Sequence, residues 1–200
     1  MTLMEGIRQQ GRPYRIEGAT RWDLPGFFAQ MGYKVGAEIG VYKAEFTVKL
    51  CQAGLMVYGI DPWTAYLGTT QERQDFLFGH ASRAVEPHDC ILIRKSSMEA
   101  VDSFEDGSLD FVFIDGDHAF KPFAGDIVEW ERKVRKGGAV SGHDYFNSNL
   151  ENGRVTCQVG VIVDAYTRVF SVDPWFVFGE LDPEREPNRK ERFLSWMWIK

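Results

Sequence analysis

Val35-Gly-Ala-Glu-Ile-Gly-Val-Tyr-Lys-Ala-Glu-Phe-Thr47 is the stretch that decides the fold of this chain. It begins with a nearly continuous apolar run, Val35 to Val41, and continues into residues with helical spacing from Ala44 to Ala53. A short continuous apolar run is typical of a strand that is buried on both faces, as the strands of parallel sheets are. The stretch therefore predicts a buried strand, a turn that contains Gly40, and a helix.

The same alternation of strand and helix recurs along the chain. Further apolar runs predict strands at Leu55–Ile60, Cys90–Ile93, Phe111–Ile114 and Ala139–Ser141. Helical segments separate several of these runs, at Gln71–Val85 and in an amphipathic stripe formed by Phe123, Ile127, Trp130 and Val134. Alternating strands and helices form right-handed βαβ units, so we predict an α/β fold with a doubly wound, Rossmann-like sheet.

The last part of the chain breaks this alternation. Trp175–Phe178 and Ser195–Ile199 have the composition of strands, and the charged, proline-containing stretch Leu181–Arg192 joins them without a helix. Strands that are joined without a crossover helix are antiparallel neighbours. We therefore predict an antiparallel pair of strands at the end of the chain.

Composition indicates a globular protein of one domain. The chain has 200 residues, of which 44% are hydrophobic, and its net charge of −6 argues against nucleic acid as a partner. Residues Met1 to Arg15 lack the apolar stretch of a signal peptide, and no window is long enough to span a membrane. The three cysteines, Cys51, Cys90 and Cys157, lack metal-ligand spacing. We therefore predict a cytoplasmic protein with neither a nucleic acid nor a membrane as partner.

Residues that follow the predicted strands are the candidates for binding, because ligands of open α/β sheets bind beyond the carboxyl ends of the strands. Glu38 and Gly40 end the first strand, where a carboxylate can accept from an ammonium group and a glycine permits close backbone approach. Asp61 follows the second strand, about twenty residues after the glycine turn, where a carboxylate accepts from ribose hydroxyls. The neighbouring Trp63 either stacks on a ligand or packs in the core.

Polar residues also follow the next three strands. Ser96-Ser97-Met98 follows the third strand, where a serine either caps a helix or contacts a nucleobase. Asp115-Gly116-Asp117-His118 follows the fourth strand, and His143-Asp144 follows the fifth. Because adjacent parallel strands lie about 4.8 Å apart, we expect Asp115 and Asp144 to converge on one site.

Taken together, these motifs resemble those of class I S-adenosylmethionine (SAM)-dependent methyltransferases. Val35–Thr47 resembles the first motif of that family and Tyr58–Trp63 the second, while Ser103–His118 is similar to the fourth and Lys136–Tyr145 to the fifth. The closing Ser195–Lys200 is similar to the last strand of a bacterial subgroup that includes small-molecule and sugar O-methyltransferases. The resemblance implies a sheet of about seven strands whose last strand is antiparallel.

The resemblance also implies which residues touch the cofactor. Glu38 and the Gly40 backbone would hold the methionine moiety, Asp61 would bind the ribose hydroxyls, and Ser97 and Met98 would lie against the adenine. Asp115 would lie near the amino-acid end of the cofactor or near the acceptor. The full set of implied cofactor-binding residues is Glu38, Gly40, Tyr42, Asp61, Trp63, Ser97, Met98 and Asp115.

Methyl transfer also requires that the acceptor lose a proton, to a base or with the help of a metal. The catalytic candidates are His118, Asp115 and His143, with His118 preferred as the base because neutral imidazole titrates near neutral pH. Metal-dependent relatives hold Mg²⁺ with acidic residues after the fourth and fifth strands, which implies a metal set of Asp115, His143 and Asp144. Imidazole suits Mn²⁺ better than Mg²⁺, so a divalent metal and a purely organic network both stay open.

The sequence therefore predicts a SAM-dependent methyltransferase that acts on a hydroxyl of a small molecule or a sugar. Two alternatives are an NAD-dependent oxidoreductase, which the absence of a Gly-x-Gly-x-x-Gly turn disfavours, and a cofactor-binding protein without catalysis. We expect residues 33–200 to form the methyltransferase domain. Residues 1–32 would be a helical segment that covers the acceptor side, together with residues 145–156. The expected partner is a small-molecule acceptor, and homo-oligomer formation stays open.

Overall fold

The computed structural model describes residues 1–66, 68–147, 157–179 and 193–200. Its strands are β1 (Tyr14–Ile16), β2 (Val35–Ile39), β3 (Met56–Ile60), β4 (Cys90–Ile93), β5 (Leu109–Ile114), β6 (Val134–Gly142), β7 (Phe176–Phe178) and β8 (Ser195–Ile199). Its helices are α1 (Leu3–Gly6), α2 (Leu24–Gln30), α3 (Glu45–Gln52), α4 (Gln71–Val85), α5 (Ser97–Val101), α6 (Phe120–Lys133) and α7 (Val159–Val169). A 3₁₀ turn, Arg21–Asp23, precedes α2.

The strands form a mixed sheet in the order β1-β7-β8-β6-β5-β2-β3-β4. Strand β8 runs antiparallel to both of its neighbours, β6 and β7, and the other pairs are parallel. The predicted doubly wound α/β sheet and its antiparallel tail are confirmed. The predicted loop Leu181–Arg192 lies outside the described residues, as do residues 148–156 of the second segment that we assigned to the acceptor.

The sheet has eight strands rather than seven because residues 1–32 contribute β1. This strand pairs in parallel with β7 at the edge of the sheet, and Tyr14 N–H donates to the Trp175 carbonyl at 2.8 Å. Three residues are too few to show the period-2 pattern of a strand in the sequence, so we predicted only helix for residues 1–32. The N-terminal segment therefore extends the sheet in addition to carrying α1 and α2, and the domain boundary at residue 33 stays a prediction.

Helices cover both faces of the sheet. Helices α5, α6 and α7 pack on one face, and α1, α2 and α3 on the other. On the second face, the rings of Phe28 and Phe111 stack with centroids 4.4 Å apart. Each such buried side chain contributes about 1.5–3 kcal/mol to folding. Because both faces are covered, the carboxyl ends of the strands are the place where a ligand of such a sheet is expected.

Two local differences from the sequence analysis concern α6 and α7. We placed Val134 on the helical stripe of α6, but the helix ends at Lys133 and the extended backbone of Val134 starts β6. Helix α7 was not predicted. In the described part of the chain, no helix is long and apolar enough to cross a membrane.

Candidate active site at the carboxyl ends of the strands

The carboxyl ends of β2, β3, β5 and β6 lie side by side, because these strands are neighbours in the sheet. Backbone hydrogen bonds continue past the strand ends: Asp115 N–H donates to the Ile39 carbonyl at 2.8 Å, and His143 N–H donates to the Ile114 carbonyl at 3.1 Å. The residues that follow the four strands therefore form one continuous rim. The expected convergence of Asp115 and Asp144 is observed there.

The fold requires a glycine at position 40, whether or not a ligand binds there. Its φ is +90°, a left-handed backbone that favours glycine. A Cβ at this position would lie 2.1 Å from the carbonyl oxygen of Asp115. The close backbone approach that we expected is thus an approach between the loops that follow β2 and β5.

Asp61 ties the end of β3 to the turn after β2. Its Oδ2 accepts from the backbone N–H of Val41 at 3.1 Å and of Tyr42 at 2.9 Å, and its Oδ1 accepts from Trp63 N–H at 2.8 Å. Tyr42 is held in a left-handed conformation, with φ 53°, and its side chain is exposed. The carboxylate and Tyr42 both lie where the cofactor is expected, but the carboxylate also has a structural role that the sequence did not show.

Trp63 packs in the core instead of facing the site. It is 1% exposed, its indole N–H donates to the Tyr42 carbonyl at 3.0 Å, and its ring meets Phe78 of α4 edge to face. A ring buried against a helix offers no free face to a ligand. Of our two interpretations of Trp63, packing is therefore correct, and its assignment as a cofactor-binding side chain is wrong.

Ser97 and Met98 begin α5 and differ in exposure. Ser96 caps this helix by accepting from Glu99 N–H, whereas Ser97 Oγ accepts from the indole N–H of Trp130 at 2.6 Å. The Ser97 side chain thus already has a partner on α6. Met98 is 40% exposed and stays available at the rim. The contact of these residues with adenine stays a prediction.

Glu38 is a buried carboxyl group directly before the glycine turn. It is 2% exposed, and Thr47 of α3 donates to its Oε2 at 2.5 Å. Burial raises the pKa of Glu38 to about 8, although the hydrogen bond from Thr47 and the positive charge of Arg21 oppose this rise. An ammonium group placed beside this carboxyl group would favour its ionised form and lower the pKa again.

Asp115, His118 and Asp144 form the central cluster. His118 Nε2 lies 3.0 Å from Asp144 Oδ2 and 3.5 Å from Asp115 Oδ1, and one ligand atom from each residue lies within 4.8 Å of the other two. Nε2 is buried, and neither oxygen has the geometry of a hydrogen bond to it; within the described residues it has no hydrogen-bond partner. A nitrogen and two carboxylate oxygens this close together are a donor set that could hold a divalent cation.

The cluster differs from the predicted metal set by one histidine. His143 is 5% exposed, and its Nδ1 lies 3.2 Å from Asp144 Oδ1. It is not part of the three-residue group, and His118 takes its place. His118 lies in the loop after β5, and its side chain reaches Asp144, whereas His143 directly follows the end of β6 at Gly142 and has a buried side chain.

The two carboxylates change the chemistry of His118. Burial lowers the pKa of His118, but Asp115 and Asp144 outweigh this effect and raise the pKa to about 10. Burial raises the pKa of Asp144, and its contacts with His118 and His143 outweigh that effect and hold the pKa well below its usual value. Without a cation, this raised pKa favours the protonated form of His118, which does not suit the base that we preferred from the sequence, and the catalytic role of His118 stays a prediction.

Arg21 is a site residue that the sequence analysis missed. Its Nη1 donates to Asp115 Oδ2 at 3.1 Å, and its side chain is 15% exposed. It comes from the N-terminal segment, almost a hundred residues before Asp115 in the chain. No motif surrounds it, so its position at the site follows only from the packing of the N-terminal segment on the sheet.

Comparison with known proteins agrees with this geometry. A family model described as "Methyltransferase domain" matches residues 37–145, which is more than half of the chain and includes the Gly40 turn, Asp61, His118 and Asp144. No curated protein matches the sequence.

Solved structures share the fold at low sequence identity. An O-methyltransferase from Bacillus cereus, in complex with S-adenosylhomocysteine (SAH), is 13% identical, with 90% of this chain and 80% of that chain covered and a TM-score of 0.63. The O-methyltransferase TomG from Streptomyces achromogenes, involved in tomaymycin synthesis and solved with SAM, is 10% identical, with 90% and 78% covered and a TM-score of 0.62. At these identities the likeness concerns the fold.

Proposed function

Since the chain belongs to the methyltransferase domain family, we propose that it transfers the methyl group of SAM to a hydroxyl oxygen of a small molecule, with the help of a divalent cation. The observation that carries the proposal is the cluster of Asp115, His118 and Asp144 beside the Gly40 turn. It places groups that can hold a cation at the edge of the sheet where the cofactor of a Rossmann-like fold binds.

The rim supplies the groups that SAM requires. Glu38 and Gly40 would receive the methionine moiety, and Asp61 would accept from the ribose hydroxyls while it keeps the turn after β2 in place. Each carboxylate oxygen accepts more than one hydrogen bond, so Asp61 can serve both partners. Met98, an exposed residue of the helix that follows β4, would lie against the adenine.

The central cluster would hold the cation. When bound, a divalent cation lowers the pKa of an acceptor hydroxyl and balances the negative charge that develops there. Asp144 is kept ionised by its neighbours, and Asp115 is oriented by Arg21. His118 must release its proton to become a ligand, so these residues bind a cation more tightly as pH rises. The imidazole favours Mn²⁺ over Mg²⁺, although two carboxylates suit either ion.

A hydroxyl acceptor is supported by two observations. The similar structures named above are described as O-methyltransferases. A cation flanked by carboxylates is also the arrangement that activates a weakly acidic hydroxyl, whereas an amine needs less help.

The negative net charge of the chain favours a small molecule over nucleic acid as acceptor. The cytoplasmic location stays a prediction, and homo-oligomer formation stays open.

Calorimetry separates the proposed cofactor from the alternative one. We expect SAH to bind and NAD to show no binding, because the first turn lacks the glycines that a dinucleotide needs. Binding of NAD without SAH would favour an oxidoreductase. Binding of SAH without turnover of any hydroxyl compound would leave a cofactor-binding protein without catalysis.

Chelation tests the metal independently of the cofactor. EDTA should abolish turnover, and added Mn²⁺ or Mg²⁺ should restore it, whereas SAH binding should persist in EDTA. Full activity in EDTA, with no metal found by elemental analysis, would refute the cation and leave the methyltransferase activity standing.

A further inference from the structure

Arg21 brings a positive charge from the N-terminal segment to the rim of the site. Its guanidinium donates to Asp115 Oδ2, and the two side chains are 15% and 23% exposed. An ion pair this sheltered is screened less by solvent than a surface pair. The guanidinium also lies over the ring of Trp22, with Cζ 4.8 Å from the ring centroid.

The backbone around Arg21 is held on both sides. Thr20 N–H donates to Asp23 Oδ2 at 2.8 Å, which closes the 3₁₀ turn that carries Arg21. Helix α2 follows at once and buries Leu24, Phe27 and Phe28 against the sheet. Trp22 packs edge to face on Phe46 of α3. The guanidinium therefore extends from a fixed turn and not from a loose N-terminal arm.

The groups around this guanidinium form a pattern of charges. The backbone carbonyl of Asp115 lies close to Gly40, and Glu38 lies two residues before that glycine. The charge of Arg21 is close enough to Glu38 to favour its ionised form. One guanidinium and two carboxyl groups thus lie near the glycine turn. An α-amino acid in its zwitterionic form needs acceptors for its ammonium group and a donor for its carboxylate, and this pattern offers both.

We propose that Arg21 binds the carboxylate of the methionine moiety of SAM, while the carboxyl groups of Glu38 and Asp115 face its ammonium group. The inference rests on the proposed function, since it takes the Gly40 turn as the seat of that moiety. A guanidinium suits this role because its planar fork of donors matches a carboxylate and can bridge two of them. The N-terminal segment thereby becomes part of the cofactor site.

A pair of ligands that differ only in this carboxylate tests the proposal. SAH and its decarboxylated analogue, S-adenosylthiopropylamine, both keep the adenosine and the ammonium group, so their affinity ratio isolates the carboxylate. We would measure both dissociation constants in EDTA by calorimetry for the wild type, Arg21→Met, Arg21→Gln and Arg12→Met. Arg12 is a matched control, because it lies in the same segment and pairs with Asp173 at the surface.

We expect the wild type and Arg12→Met to prefer SAH by about 10- to 100-fold, the usual gain from a hydrogen-bonded charge pair. In Arg21→Met and Arg21→Gln the affinity for SAH should fall by about that factor, while the affinity for the analogue should stay within about 3-fold of the wild type. The preference would then be lost.

Three results would overturn the assignment. A wild-type ratio near one would do so without any variant, which keeps the test valid if the Arg21 variants fail to fold. If folded variants lose the same factor of affinity for both ligands, Arg21 only supports the site. If folded variants keep the wild-type affinity for both ligands, Arg21 does not contact the carboxylate. If the wild type binds neither ligand, the proposed function fails instead.

Discussion

Asp61 accepts a hydrogen bond from the backbone N–H of Tyr42 at 2.9 Å, so the residue after β3 fixes the turn after β2. The same oxygen accepts from Val41, and the second oxygen accepts from Trp63. Three backbone donors therefore depend on one carboxylate. Any substitution of Asp61 acts on the shape of the rim as well as on the ribose.

The first prediction concerns Asp61→Ala. Loss of the carboxylate leaves the ribose hydroxyls and the backbone donors without their acceptor, so we expect SAH binding to weaken by about 1–3 kcal/mol. The melting temperature should also fall. Calorimetry and thermal denaturation measure the two effects, and Asp102→Ala, at an exposed position, is the control. An unchanged dissociation constant for SAH would exclude Asp61 from the ribose site.

The second prediction distinguishes the two histidines of the site. Because His118 belongs to the three-residue cluster and His143 only contacts Asp144, we expect His118→Ala to abolish measurable Mn²⁺ binding. His143→Ala should weaken Mn²⁺ binding about 10-fold, as loss of a residue that supports a metal ligand does. Mn²⁺ binding is measured by titration calorimetry, with exposed His80→Ala as the control. The reverse order would restore the metal set that the sequence implied.

The strands were predictable because each leaves a strong signal. The apolar runs of β2, β3 and β5 are mostly buried, and a short continuous apolar run predicts a parallel strand. The run of β4 gave the same prediction, although β4 is an edge strand with Ile91 exposed. Because the carboxyl ends of neighbouring strands share one edge, the meeting of Asp115 with Asp144 followed from the order of the motifs alone.

What the sequence could not show depends on loops and on distant packing. His118 replaces His143 in the cluster because of the path of one short turn, and a pattern of residue types does not determine that path. Arg21 and β1 reach the site and the sheet only after the N-terminal segment has packed, through contacts such as Phe28 on Phe111. Trp63 was ambiguous since an aromatic residue beside a binding site suits stacking and packing equally well.

The third prediction concerns Glu38 and pH. The pKa of Glu38 is raised to about 8 in the folded protein, against an ordinary value of 4.5. Between these two values the folded protein holds a proton that the unfolded chain has released, so rising pH favours unfolding and this contribution to stability is lost. Melting temperatures from pH 5 to pH 8 should therefore fall.

Glu38→Gln removes this titration while its amide oxygen can still accept from Thr47. We expect the fall in melting temperature between pH 5 and pH 8 to be smaller in the variant than in the wild type. The contribution of His118, whose raised pKa has the same sign, stays in both proteins and cancels in the comparison. Parallel curves for the two proteins would contradict a raised pKa at Glu38.

The last prediction separates two reasons for a glycine at position 40. Gly40 and Gly54 both have a left-handed backbone, with φ of +90° and +85°, but only Gly40 has atoms within reach of an added Cβ. Gly54→Ala therefore measures the strain of that conformation alone, about 1–3 kcal/mol, and should leave SAH and Mn²⁺ binding unchanged.

Gly40→Ala carries the same strain and also pushes the carbonyl of Asp115 away, since a Cβ would lie 2.1 Å from its oxygen. That movement shifts a residue that pairs with Arg21 and lies within the His118 cluster. We therefore expect Gly40→Ala to lose more stability than Gly54→Ala in denaturant titrations, and to lose both SAH and Mn²⁺ binding. If the two variants behave alike, the loops after β2 and β5 are not coupled through this contact.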